Sequence, residues 1–387
     1  MNINEQPVKL FADAHVFDGE YQGTRTFIRE IYTILAAKRD IRLYLGANDT
    51  DNLKKYFPEQ PDIVFVPYKN ASSVLRLAVD IPAIIRKYGI EYAHFQYIVP
   101  PVKSCRFIDT VHDVIFNEYP DEFSRSYRLQ KNWLYRLSAR RSDILTTVSE
   151  YSKESMRRYL KINTDNTIVT PNGVAPKFFA PYDRQQSKNY IKGKFGFDKY
   201  ILYVSRLEPR KNHLLLLNAW RELQLHERGY HLVLLGHKSI PVPGFDEAIA
   251  GLPPHIRSYV FLHSNIDDAD LLEFYRAAAL FAYPSRAEGF GIPPLEAAAL
   301  GIPVICSNTS AMSDFSFFGT RHINPNDHAV FVHTLDETIS HPPDDNYLKK
   351  ITTIIQQKYA WEHAAEKLYQ GIISDKRRIF EDKKKRT

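Results

Sequence analysis

Leu280-Phe281-Ala282-Tyr283-Pro284-Ser285-Arg286-Ala287-Glu288-Gly289-Phe290-Gly291-Ile292-Pro293-Pro294-Leu295-Glu296-Ala297-Ala298-Ala299-Leu300-Gly301 is the stretch that decides the fold. Its first four residues are apolar and closed by Pro284, the pattern of a buried strand. Pro293 and Pro294 open the run from Leu295 to Leu300, and Gly301 followed by Pro303 ends it. That pattern predicts a helix with both ends marked. Glu288-Gly289-Phe290-Gly291 is then a loop at the carboxyl end of a strand, feeding a helix amino terminus. In open α/β sheets ligands bind at that place, and backbone N–H groups there favour anions. Gly289 and Gly291 let a large anionic ligand approach the backbone closely. Glu288 would repel a bare phosphate and makes more sense facing hydroxyl groups, as Glu296 can from the helix. A nucleotide carrying a sugar supplies both kinds of group. An ordinary strand–loop–helix with one capping and one solvated glutamate fits the spacing as well, so the rest of the chain decides.

At 387 residues the chain exceeds one ordinary domain and fits two. With 44% hydrophobic and 25% charged residues it has the composition of a soluble protein with two cores. The net charge of +6 suits an acidic ligand or an anionic membrane surface and does not require nucleic acid, which is not an expected partner. Cys105 and Cys306 lie far apart and build neither a disulfide framework nor a zinc site, so a reducing compartment is expected. The amino terminus lacks the basic and apolar pattern of a signal peptide, and no run of 18 apolar residues is present to span a bilayer. The expected location is cytoplasmic.

Working outward from the opening stretch, short β-rich runs alternate with helical patterns along the chain. Val8–Asp13, 41–45, 63–66, 92–95, 107–111 and 144–148 read as strands, and residues 26–35 have helical apolar spacing. The text turns polar from Asp183 to Lys188, and the alternation then starts afresh with 200–204, 231–236, 259–262, 280–283 and 304–306. This places a junction between about residues 175 and 190 and predicts an α/β fold of two parallel-sheet domains, 1–180 and 181–360. Two such sheets side by side put their carboxyl edges around one central cleft. The segment from Trp361 to about Phe380 can be helical, and it ends on the basic run Lys383-Lys384-Lys385-Arg386.

Several side chains can do chemistry. Arg206 and Lys211 lie five apart on a proline-containing loop that follows the strand ending at Val204. A flat fork of donors and a compact charge suit a diphosphate, and they stabilise the negative charge that grows on it as a sugar–phosphate bond breaks. A basic surface loop explains the pair equally simply. His112 stands at the end of a strand, where it can donate to a substrate hydroxyl or accept its proton, and Asp113 can orient its ring or cap the next helix. Asp268-Ala269-Asp270 matches a metal-binding pattern, but helix-start carboxylates account for it, and no metal site is expected. Neither half carries a Gly-x-Gly-x-x-Gly fingerprint, which argues against NAD. Arg125, Arg128, Lys131, Arg136, Arg140 and Arg141, interleaved with Tyr127, Trp133, Leu134, Tyr135 and Leu137, form either a membrane-contacting amphipathic helix or a core helix with a basic outer face. The basic tail is either a solvated terminus or a second contact with anionic lipid.

Together Gly23-Thr24-Arg25, His112-Asp113, Val148 to Ser152, Pro171 to Val174, Arg206 with Lys211, and Glu288 to Glu296 resemble the retaining glycosyltransferases of family four, in that family's order and over nearly the whole chain. The resemblance implies the GT-B fold, two Rossmann-like domains, with a last helix (361–387) crossing back onto the first domain. It implies that Glu288 meets the donor sugar, with Gly289, Phe290, Gly291 and Ile292 placing the backbone near sugar and phosphate. Glu296 would hold the ribose hydroxyls, and Arg206 and Lys211 the diphosphate. Gly23 would give a close backbone approach from the first domain, and His112 would lie near the transferred sugar and acceptor. It also implies no cofactor and no metal. His263-Ser264-Asn265-Ile266 lacks the family's usual glycine, and Ser313-Asp314 replaces its proline and glutamate.

The expected reaction is transfer of a sugar from a nucleoside diphosphate sugar to a hydroxyl of a glycan or lipid-linked acceptor, with retention at the anomeric carbon. Similarity to bacterial surface-polysaccharide mannosyltransferases points to GDP-mannose, with a UDP- or dTDP-sugar as the alternative donor. The rival readings are a glycoside hydrolase using Glu288 and Glu296 and an inactive nucleotide- or membrane-binding protein.

Overall fold

The computed structural model describes residues 6–19, 23–58, 60 and 62–384. Lys385 and Arg386 of the basic run lie outside the described residues. The chain divides into two compact units, one formed by Met1–Gly173 with Trp361–Thr387 and the other by Val174–Ala360. Both are α/β units on wholly parallel sheets.

In the first unit the strands are β1 Val8–Asp13, β2 Ile41–Ala47, β3 Val64–Pro67, β4 Tyr92–Gln96, β5 Arg106–Thr110, β6 Ile144–Thr147 and β7 Ile168–Val169. They lie in the order β3-β2-β1-β4-β5-β6-β7. β1 pairs with β2 from Val8↔Ile41 to Asp13↔Gly46, and with β4 from Leu10↔Tyr92 to Ala12↔His94. Phe11, Phe95 and Phe107 are fully buried, as expected of central strands covered on both faces. Helix α1, Gly23–Ala36, buries Phe27, Ile28, Ile31, Tyr32 and Leu35, one stripe at helical spacing. α1 therefore starts at Gly23 rather than after it. Helix α2 is Arg125–Arg141.

The second unit opens with helix α3, Arg184–Phe195. The polar run that suggested a linker is this helix's start: Asp183 accepts from the backbone N–H groups of Gln185 and Gln186 at 2.8 and 3.1 Å. The first unit has already ended at Gly173, earlier than the polarity alone indicates. Strands β8 Tyr200–Val204, β9 His231–Leu235, β10 Val260–His263, β11 Leu280–Tyr283, β12 Val304–Ser307 and β13 His322–Ile323 lie in the order β10-β9-β8-β11-β12-β13. Helix α4, Asp268–Ala277, precedes β11, and helix α5, Ile292–Ala299, follows the loop after it. The chain runs outward from β8 through β9 to β10 and then returns to β11, which pairs with β8 at Leu280↔Ile201 and Phe281↔Leu202. The strand order thus reverses between β8 and β11, where an open parallel sheet binds ligands. The last helix, α6, is Trp361–Lys384, and Trp361 meets Phe27 of α1 with ring centroids 6.2 Å apart.

Candidate active site

The two loops leaving the carboxyl ends of β8 and β11 carry Arg206, Glu208, Arg210 and Lys211 on one side and Arg286 and Glu288 on the other. After β8 the chain forms a turn at Pro209–Lys211, and the Tyr203 hydroxyl donates to the Lys211 carbonyl at 2.6 Å. Lys211 reaches across to the other loop, where its Nζ lies 2.5 Å from Glu288 Oε1. The Tyr283 hydroxyl donates to the same oxygen at 2.8 Å, and the Glu288 N–H donates to Ser310 Oγ at 2.9 Å. Both members of the pair are buried. Burial pushes the Glu288 carboxyl up, but Lys211 and Arg210 outweigh it and hold the group below its ordinary value. Burial is the larger influence on Lys211, which is lowered although Glu288 opposes the change. The Glu288 side chain is therefore a carboxylate at neutral pH, facing a cation rather than open hydroxyl-binding space.

Arg206 is the more accessible cation. Its side chain is 50% exposed, and its guanidinium lies 3.1 Å from Glu208 Oε1. Buried Glu208 also pairs with Arg210, whose Nη1 donates to the Ala287 carbonyl at 3.2 Å, while the Arg286 N–H donates to the Arg210 carbonyl at 2.8 Å. Arg210 thus joins the two loops, and Glu208 holds Arg206 beside them.

Gly291 precedes α5 with φ +98, and a Cβ there would stand 2.9 Å from Met312 Cγ. Only glycine fits both the conformation and the space. Pro293 and Pro294 supply no N–H, so backbone donors at this helix start come from Ile292 and the loop before it. Phe290 is buried, its ring 6.0 Å from Phe315 and 5.8 Å from Tyr359. Glu296, one turn into α5, accepts from the Tyr275 hydroxyl at 2.9 Å. Asp268 and Asp270 begin α4, and Asp270 is occupied by Lys194 Nζ at 2.7 Å and the Tyr190 hydroxyl at 2.7 Å.

In the first unit His112 follows β5 and is buried, with Phe27 edge-on at 4.9 Å and Tyr97 at 5.4 Å between ring centroids. Its Nε2 lies 2.6 Å from Gln96 Oε1. Burial lowers its pKa to about 4, so the ring is neutral near pH 7. A neutral ring donating Nε2–H to Gln96 keeps a lone pair on Nδ1. At Gly23, one turn before Phe27, no atom of the described residues stands within 4 Å of where a Cβ would be. Asp113 caps the next turn, accepting from the Ile115 N–H at 3.2 Å.

Two family models match the chain, one for glycosyl transferases group 1 over residues 185–354 and one for glycosyltransferase family 4 over residues 21–178. The chain belongs to glycosyltransferase family 4. This glycosyltransferase is similar to an O-antigen chain mannosyltransferase B of Escherichia coli, 25% identical over 367 residues, which cover 88% of this chain and 93% of that protein. Its fold matches a sucrose-phosphate synthase from Thermosynechococcus elongatus with a TM-score of 0.74 at 19% identity, over 96% of this chain and 100% of the other. It also matches Anabaena HepE, solved in complex with UDP and glucose, with a TM-score of 0.71 at 14% identity over 95% and 100%. The architecture of the family 4 glycosyltransferase is therefore GT-B.

Within its second unit the glycosyltransferase brings Lys211 and Glu288 into direct contact and sets Arg206 beside the same loops through Glu208. Glu296 lies farther along α5 with its own partner. Gln96, Glu208, Arg210, Tyr275 and Tyr283 escaped the sequence reading. Of these, Glu208 and Arg210 lie inside the motif that contains Arg206 and Lys211, and Tyr283 lies in the stretch that contains Glu288; nothing nearby marks Gln96 or Tyr275.

Proposed function

We propose that this family 4 enzyme transfers mannose from GDP-mannose to a hydroxyl of a glycan or lipid-linked acceptor in surface-polysaccharide synthesis. On this reading it retains the anomeric configuration, uses no metal and works at the cytoplasmic side of the membrane. The observation that carries the reading is the cationic pair at the strand-order reversal, Arg206 exposed and Lys211 buried against Glu288. A diphosphate arriving there meets Arg206 first and competes with Glu288 for Lys211. Glu288 is then released toward the sugar hydroxyls, so one ion pair serves both halves of the donor. The mannosyl donor is supported by the name of the Escherichia coli relative.

In the proposed step the bond between the anomeric carbon and the diphosphate oxygen breaks as the acceptor oxygen bonds to that carbon on the same face. The acceptor proton passes to the departing diphosphate, and Arg206 and Lys211 take up the charge that develops. A covalent route through Glu288 is the competing mechanism; trapping a glycosyl adduct on that residue would establish it. A glycosidase acid needs a raised pKa, whereas Glu288 is held low, which counts against the hydrolase reading. Because Anabaena HepE was solved with UDP and glucose, a UDP-sugar stays as the second donor reading.

The test is turnover with GDP-mannose, UDP-glucose, UDP-N-acetylglucosamine and dTDP-rhamnose, each with and without chelator, and NMR of the new anomeric centre. GDP-mannose should be consumed regardless of chelator and give the α configuration. Lys211→Ala should lower kcat/KM by about 100-fold or more, as expected when a donor to developing charge is lost. Consumption of a different donor alone, or an inverted product, overturns the corresponding part.

A further inference from the structure

Helix α2 is set into the first unit by one face: Tyr135, Ser138 and Ala139 are buried, in a core region that includes Val111, Phe116, Met156 and Leu160. A surface helix ordinarily turns polar side chains to water. α2 instead presents Leu129 at 62% exposure, Trp133 at 65% and Leu137 at 36%. Spaced four apart, they stack along one outward stripe. Val102, 61% exposed, belongs to a loop fastened to the same helix's end. There Arg141 Nη1 donates to the Pro101 carbonyl at 2.7 Å and Lys103 Nζ to the Arg141 carbonyl at 3.0 Å.

The charge on α2 has one sign. Its 17 residues include Arg125, Arg128, Lys131, Arg136, Arg140 and Arg141 and no acid. Arg125, Arg140 and Arg141 are exposed, and at about 100° per residue Arg125 and Arg140 fall on the same half of the helix as the apolar stripe, whereas Arg136 turns back to donate to the Leu160 carbonyl at 2.6 Å. Two copies meeting through this face would oppose cation to cation, which disfavours a symmetric dimer. An apolar stripe bordered by arginines matches a surface that is apolar beneath and anionic above.

We propose that α2 docks the protein on an anionic phospholipid bilayer, with Leu129, Trp133 and Leu137 entering the headgroup–acyl boundary and the flanking arginines pairing with lipid phosphates. The proposal rests on the helix alone and does not depend on the identity of the sugar donor.

The protein has three tryptophans, and Trp220 and Trp361 are buried, so a change in emission on lipid binding reports Trp133. Full-length protein is mixed with vesicles of phosphatidylcholine alone or of phosphatidylcholine with phosphatidylglycerol. Co-sedimentation and a blue-shifted emission are expected only with the anionic vesicles. Leu129→Ser with Leu137→Ser should abolish both without changing the melting temperature. Arg125→Gln with Arg140→Gln should weaken binding about five-fold per charge removed. Equal binding to neutral vesicles, no binding at all, or wild-type binding by the leucine variant overturns the proposal. So does a lipid-free dimer that the leucine variant dissociates, because the face then belongs to a second copy.

Discussion

Gln96 and His112 form a pair at the carboxyl ends of β4 and β5, inside the first sheet. β4 and β5 run parallel with Gln96 opposite Thr110, so the side chain of Gln96 and that of His112, two residues beyond Thr110, meet past the end of the ladder. No motif marks Gln96; its role follows from strand pairing, which a single sequence does not reveal. His112 was legible because an ionisable ring directly after an apolar run stands out. Gln96 fixes which ring nitrogen carries the proton, and replacing it with a carboxylate tests that. In Gln96→Glu a negative charge beside the ring should raise the His112 pKa from about 4 by about 1–3 units. If neutral His112 takes part in turnover, the acid limb of the kcat profile moves to higher pH by the same amount. An unmoved limb would show that the ring does not act in its neutral form. Glu288 was legible as a carboxylate at a ligand-binding loop, but its engagement by Lys211 was not, since Lys211 follows a different strand, β8.

The returning helix α6 shows what elements reveal that residues do not. Its Asp375 is buried and accepts from the Tyr92 hydroxyl at 3.0 Å, Arg106 Nη2 at 2.7 Å and Arg378 Nη2 at 2.6 Å, binding the helix to β4 and β5. At the other end of α6, Gly173 packs against Trp361, and a Cβ at 173 would stand 2.5 Å from the Trp361 backbone nitrogen. The chain therefore leaves and re-enters the first unit at one place. The helix and the Pro171–Val174 turn were both legible in the sequence, but nothing marked that turn as the exit point, and the polar run that opens α3 placed the junction about ten residues later. Asp375→Ala takes one of two carboxylate partners that Arg106 has among the described residues, leaving Asp143 at 3.0 Å, and removes the acceptor of the Tyr92 hydroxyl. Urea melts of this variant should show a loss of about 2–4 kcal/mol, whereas Arg378→Ala, at an exposed side chain, should cost under about 1 kcal/mol. Equal losses would mean that the buried cluster does not hold the helix.

Across the whole molecule, four buried groups with large shifts dominate how stability varies with pH between about 4 and 8. His94, His112 and His213 are held by burial at about 3, 4 and 3, far below the ordinary histidine value of 6.5. Each is neutral in the folded protein over a range where the unfolded chain carries a proton. Between about pH 4 and 6.5 these three make stability rise with pH. Asp109 acts in the opposite sense: burial pushes it up to about 8 against the help of the Tyr97 backbone, so the folded state keeps a proton that the unfolded chain has lost. The unfolded state thus binds two more protons than the folded state in that window, a slope of about 2.7 kcal/mol per pH unit. Of these four groups, the two histidines and Asp109 of the first unit account for half of that slope and His213 of the second unit for the other half; His231 and His322, half-buried in the second unit and also lowered by burial, add to it in the same sense. The unfolded histidines lose their protons around pH 6.5, and above about pH 7 Asp109 outweighs what remains, so stability falls by up to about 1.4 kcal/mol per unit until about pH 8. Denaturant melts across this range should therefore peak just below about pH 7. Asp109→Asn, of the same shape and without the titration, should remove the decline above the peak and steepen the rise below it. A decline that survives this substitution would show that Asp109 is ionised in the folded protein and that its burial is offset by a partner.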